Sequence, residues 1–360
     1  MYKKIYQVGV ALTVMATPAL AQQTEWQQIN KAYKTGMELY ERGKFSSASA
    51  QFDRVEALRT KSNLQLDETE ELSLLKENVR YYQAVCALEL GESDAENRFL
   101  KYIKDFPVSA NAKAAYFQIG KSYYAKKDYV KALEWFNKID SKNLAGKENV
   151  EYRFKYGYAS FMTKDYKTAK PLFEGLKDQK TEFQEASIYY YAYLSYLDAE
   201  YKTALNEFER LNGSKQFENS YPYYITALYF LDKRYDDVLD YALPILSRTK
   251  QENETEMFRI IAATYFIKGD LKTSKEYYDK FQAQDQGKTQ NNQDSYQIGY
   301  IAYKLKDYDK AITELEKMTE PDAYYQSAMI TLGDAFLKKG NKQSARNAFF
   351  RASKLDFDPA

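Results

Sequence analysis

The chain has 360 residues with 52 Lys and Arg against 51 Asp and Glu, a net charge of +1, which predicts no electrostatic pull toward nucleic acid or an anionic membrane. It holds no histidine and a single cysteine, Cys86. That excludes Ser-His-Asp and Cys-His catalysis, the commonest metal ligand and any intramolecular disulfide. With 36 Tyr, 14 Gly and 7 Pro the chain is too aromatic for disorder and too poor in turn formers for a sandwich of short strands.

Residues 1–21 read as a secretory signal peptide. Lys3 and Lys4 form a positive start, Val8 to Ala16 is uncharged and mostly apolar, and Ala19-Leu20-Ala21 is a small-x-small cleavage site. An uncleaved anchor is the competing reading, but the apolar run falls short of the roughly 20 residues that span a bilayer. No cysteine follows the run, so a lipoprotein attachment is not encoded. The mature chain, 22–360, is expected to be exported, without a transmembrane span, in the periplasm or peripheral to the outer membrane.

Ala114 to Ile139 shows the unit from which the rest is built. Tyr116, Ile119, Gly120, Tyr123 and Tyr124 recur at steps of three and four, as do Tyr129, Ala132 and Phe136, so two amphipathic helices follow one another. Lys127-Asp128 supplies the turn, with Asp128 placed to cap the second helix. Taking Tyr129 as the anchor, the template is a small residue nine before, an aromatic five before, a small residue three after and an aromatic seven after. Gly36, Tyr40, Phe45, Ala48 and Phe52 meet it, as do the sets anchored on Tyr166 and Tyr201. Looser copies are anchored on Tyr235, Leu271, Tyr308 and Lys342, and the poorest on Glu92.

Two stretches interrupt the pattern. Residues 59–78 lengthen the first interval, and Leu64, Leu66, Leu72, Leu74 and Leu75 there predict a longer first helix in the second hairpin. Residues 283–294, polar and without apolar periodicity, predict a loop and a flexible joint. In Asp105-Phe106-Pro107-Val108-Ser109, Pro107 ends one helix and Ser109 can cap the next. Leu355-Asp356-Phe357-Asp358-Pro359 closes the last hairpin like the others, and a further first helix is expected after it if the chain is a fragment of a longer repeat protein.

Nine near-register copies of this template resemble the tetratricopeptide repeat, a 34-residue helix-turn-helix unit. The resemblance implies an all-α fold, a right-handed α-solenoid of about nine hairpins. The phrase around Pro107 resembles linkers of periplasmic tetratricopeptide proteins in outer-membrane assembly and cell-division coordination. By the same resemblance, residues twelve and eight before each anchor face the ligand in a concave groove. The expected partner-binding residues are therefore Phe117, Lys121, Phe154, Tyr158, Tyr189, Tyr193, Tyr223, Arg259, Tyr296 and Tyr300. Packing between hairpins is the other role open to each of these rings.

Little in the sequence speaks for chemistry. Cys86 lies in an apolar helix and is expected as a packing thiol; Glu70-Glu71 and Asp236-Asp237 lie in charged helix surface, and Lys126-Lys127 reads as solvated turn. No phosphate loop or calcium loop is present. A non-enzymatic scaffold that uses no cofactor or metal and binds a protein or peptide segment is the leading expectation. The alternative is glycan binding, after the resemblance to exported starch-binding proteins with tetratricopeptide helices, whose lipoprotein cysteine and long sugar-site insertions are missing here.

Overall fold

The computed structural model describes residues 18–61, 70–139, 144, 146–319 and 321–354. Packing divides the chain into two compact units, Met1–Leu176 and Lys177–Ala360. Among the described residues both consist of helices joined by turns, without strands. In the first unit the hairpins are α1 (Pro18–Glu41) with α2 (Phe45–Lys61), α3 (Glu70–Glu89) with α4 (Ala95–Asp105), α5 (Ala110–Ala125) with α6 (Tyr129–Phe136), and α7 (Gly146–Met162) with α8 (Tyr166–Glu174). In the second they are α9 (Gln184–Leu197) with α10 (Tyr201–Glu209), α11 (Tyr221–Leu231) with α12 (Tyr235–Arg248), α13 (Glu254–Ile267) with α14 (Leu271–Asp285), α15 (Asn292–Lys304) with α16 (Tyr308–Leu315), and α17 (Tyr325–Lys338) with α18 (Lys342–Ser353). The described residues thus form the nine hairpins of the all-α fold expected from the repeats.

The template residues explain the pairing. The small residue three after each anchor is buried: Ala48, Ala132, Ala169, Ala204 and Ala311 are wholly inaccessible. So are Phe52, Phe99, Phe136, Phe173 and Phe208, seven after their anchors. Burying a ring of that size stabilises by about 1.5–3 kcal/mol, the main return on forming a hairpin. The small residue nine before the anchor makes room for it. A Cβ added to Gly120 would lie 2.4 Å from the Phe136 ring, so only glycine permits this approach of α5 to α6.

The turns follow one rule. In eight of the nine, the residue two before the anchor has positive φ, as Lys127 (60°), Ala199 (59°) and Gly269 (83°) do, while the second hairpin turns at Gly91. Asp128, Asp165, Asp270 and Asp307 then cap α6, α8, α14 and α16 by accepting from the third helical N–H, and Asn341 does the same for α18. Ser109 caps α5, and α4 stops at Asp105, two residues before Pro107.

Within each unit hairpins stack because a second helix packs on the next first helix, and first helices touch one another: α3 with α5 and α5 with α7 in the first unit, α11 with α13, α13 with α15 and α15 with α17 in the second. Each hairpin buries its apolar face only against such neighbours.

The expected irregular stretches differ in extent. Leu72, Leu74 and Leu75 lie in α3, a helix of 20 residues, while Leu64 and Leu66 fall outside the described residues. The loop expected over 283–294 contracts to 286–291, because α14 runs on to Asp285 and α15 begins at Asn292. Its polar residues are tied down. Asp285 accepts from the Thr289 amide (3.0 Å) and hydroxyl (2.6 Å), and Asn291 and Asp294 form a reciprocal capping box. Of the expected signal peptide, residues 1–17 lie outside the described residues, as does the closing phrase from Leu355.

Candidate partner-binding site

In the first unit, Phe117 and Lys121 sit on α5, Phe154 and Tyr158 on α7. Phe117 is wholly buried, 5.9 Å from Phe136 and 5.8 Å from Tyr152 by ring centroids. It presents nothing to a partner. Phe154 is also buried, against Phe173 at 6.0 Å and stacked on Tyr158 at 6.3 Å. The reason is geometric: the aromatic twelve before an anchor lies over the ring seven after it, a pairing repeated by Tyr33 with Phe52 and Tyr189 with Phe208. Tyr158 is half-buried beside Tyr124 and Tyr129. Lys121 reaches Glu151 at 3.3 Å while lying over the Phe117 ring.

In the second unit the rings form continuous layers. Tyr189 stacks on Phe217 at 4.6 Å, and Tyr224, which the sequence did not single out, stands against Tyr193, Tyr196, Phe208 and Tyr223. Burial pushes the Tyr189 and Tyr223 phenols up to about 12. They stay neutral at ordinary pH and act as hydrogen-bonding groups. Tyr296 and Tyr300 pack on each other at 5.8 Å, with Tyr300 against Phe266 and Tyr296 against Tyr324.

Arg259 is engaged on all sides. It pairs with Glu256 (2.7 Å), reaches Asp294 (3.6 Å) and donates to the Thr289 carbonyl (3.4 Å). Its guanidinium fixes the start of α15 and the preceding loop. Burial raises the Asp294 carboxyl above its ordinary value, against the bond from Asn291 and the charge of Arg259.

Between these groups the first helices leave a recess of about 190 Å³, lined by Tyr196, Ala227, Leu231, Arg259, Ala263 and Asp294 among others. Its cause is the position eight before the anchor. Where the flanking hairpins carry Tyr193 and Tyr300, the two between them carry Ala227 and Ala263. One turn further along the same helix face, four before each anchor, stand Leu197 (46% exposed), Leu231 (52%) and Ile267 (46%). These three apolar side chains next to polar turns are the groups that the sequence reading missed. Large apolar residues recurring where a helix gives way to a charged turn were the available signal.

Among the described residues no group of His, Cys, Asp or Glu is placed to hold a metal, and no helix is long and apolar enough to cross a membrane. Cys86 is wholly inaccessible, and burial pushes its thiol up to about 11, away from nucleophilic behaviour.

The family model described as Tetratricopeptide repeat matches residues 93–146 and 296–360. Those stretches contain the anchors Tyr129, Tyr308 and Lys342, and the match supports there the resemblance drawn from the template. No curated protein matches the chain. Solved structures similar to it include the P58(IPK) TPR domain, 14% identical over 91% of this chain and 97% of that one, with a TM-score of 0.31. The apo form of RapI is 16% identical over 91% and 96%, TM-score 0.43. A tetratricopeptide repeat protein from Parabacteroides merdae is 13% identical over 92% and 94%, TM-score 0.36.

Proposed function

We propose that the whole chain is an exported, non-enzymatic scaffold of the tetratricopeptide type, and that it holds a segment of another cell-envelope protein against the first helices of its second unit. The observation that carries this reading is the recess over Ala227 and Ala263 beside the exposed Leu197, Leu231 and Ile267. Contiguous exposed apolar surface rimmed by polar groups marks interaction sites, and a side chain seated in a pocket supplies most of an interface's energy. An apolar side chain of the partner enters the recess, and its neighbours lie on the three aliphatic residues. Tyr196, the tyrosine in its lining, offers a phenol to the bound segment. Export rests on the leader-like residues 1–21, and the envelope setting on the resemblance of the phrase around Pro107.

The test fills the recess. Ala227→Arg and Leu231→Glu are each expected to lower the affinity for a partner crosslinked and isolated from the native envelope at least tenfold, about 1.4 kcal/mol, while melting like the parent. Full affinity in variants of unchanged stability removes the recess from the binding site.

A further inference from the structure

A separate cleft of about 520 Å³ lies within the first unit, at the turn between α3 and α4 where it faces α5 and α7. Its volume falls within the roughly 300–1,000 Å³ of small-molecule sites. One side carries Glu89, Glu92 and Glu96; the other carries Lys121, Lys126 and Lys155. Half-buried Leu88 and exposed Ala125 contribute apolar surface between them, over the buried Ile119.

The inner charges are held in place. Arg98 pairs with Glu92 at 2.7 Å, the Tyr123 hydroxyl donates to Glu96 at 2.7 Å, and Glu151 takes Lys121 at 3.3 Å and Lys155 at 3.6 Å. Glu89 and Lys126 are exposed, and among the described residues neither makes an ion pair, although both line the same cleft. Opposite charges separated across a cleft with apolar walls set up a field that runs from one side to the other, and low-dielectric walls concentrate it. A molecule with one charge satisfies only half of that arrangement. One with an ammonium and a carboxylate satisfies both.

We propose that this cleft binds a small zwitterion of the short-peptide type, its ammonium toward Glu89 and its carboxylate toward Lys126, with apolar side chains on Leu88 and Ala125. Lys126, a solvated turn residue by sequence alone, becomes a ligand-binding group. The site shares no residue with the recess of the second unit, so either can fail without the other.

The probe is the tripeptide Ala-Leu-Ala, titrated calorimetrically into the full mature chain beside its N-acetylated and C-amidated forms. Saturable one-to-one binding is expected, at least tenfold weaker when either end is blocked. Glu89→Gln should weaken the free tripeptide yet leave the N-acetylated form unchanged, and Lys126→Gln should do the same with respect to the amide. No saturable binding, or binding indifferent to blocked ends, overturns the proposal. Because the blocked peptides are compared on the unsubstituted protein, the result stands even if a variant folds poorly.

Discussion

The two units are built from one hairpin template, yet they bury different things. Among the described residues the first unit buries two polar side chains, Ser109 and Ser160, and the second buries fourteen, including Glu207, Asp285, Asp294, Gln297 and Glu314. The first coheres chiefly through ring packing, as in Phe117, Phe136 and Tyr152. In the second, hydrogen bonds and charge are built into the stacking of α13 to α16: Gln282 and Gln290 both donate to Glu314, and Gln290 also to Ser295. The same template can therefore give one unit with few buried polar groups and another with charge and hydrogen bonds inside its stacking, because the template constrains residue size at a few positions and leaves the rest free.

Acid should separate the two units, and this is the largest effect expected. In the second unit Asp178, Asp270, Asp279, Asp285 and Glu314 are held below their ordinary values. For Asp285 burial opposes ionisation, but bonds from Thr289 and Gln290 outweigh it; for Glu314 burial is likewise outweighed by Lys317, Gln290 and Gln282. Such groups bind fewer protons folded than unfolded, so the stability they add is present above the ordinary carboxylate range and is lost as pH falls through their folded values. Asp294, raised by burial, acts in the opposite sense, and so does Glu148 in the first unit. Loss of helix below about pH 4 should therefore begin in the second unit. Trp26 and Trp135, the chain's two tryptophans, both belong to the first unit. Far-UV circular dichroism should then fall at a higher pH than the one at which tryptophan fluorescence changes. Coincident transitions would break the comparison.

A single hydroxyl sharpens it. Tyr278 occupies the position that Phe136 fills in the first unit, and its buried hydroxyl donates to the Gln297 amide oxygen. Tyr278→Phe should cost about 1–3 kcal/mol in urea unfolding, since it leaves a buried acceptor without its donor. An unchanged midpoint would mean that the polar core of the second unit adds nothing to stability.

The smallest effect lies in a turn. Ala199 takes the left-handed conformation that Gly43 takes in the first hairpin. Ala199→Gly should raise stability by about 0.5–1 kcal/mol, the left-handed penalty of about 1–2 kcal/mol less glycine's extra chain entropy. A loss of stability would show that the turn tolerates alanine without strain.

The hairpins were legible because each depends on a size rule with a period: Gly120 must be small since Phe136 fills the space against it, and Asp128 must follow the turn to cap α6. The proposed binding surface was less so. Whether Phe117 points to a ligand or to Phe136 depends on the distance between helices, which local periodicity does not encode. The stretch 283–294 reads as a loop because Asp285, Gln290 and Asp294 look like solvent-facing residues until their partners are known, among them Glu314 for Gln290 and Arg259 for Asp294, both distant in sequence. Leu231 escaped notice for the converse reason, an apolar residue on an apolar helix with nothing local to say that it is half exposed.

The proposed scaffold function turns on which face of the second unit meets a partner. A photo-crosslinking amino acid placed at Leu231 on the first helix α11, and separately at exposed Asp240 on the second helix α12, tests this in native cells. A discrete protein adduct from position 231 and none from position 240 is the predicted result. Adducts from 240 alone would contradict it and move binding to the second helices.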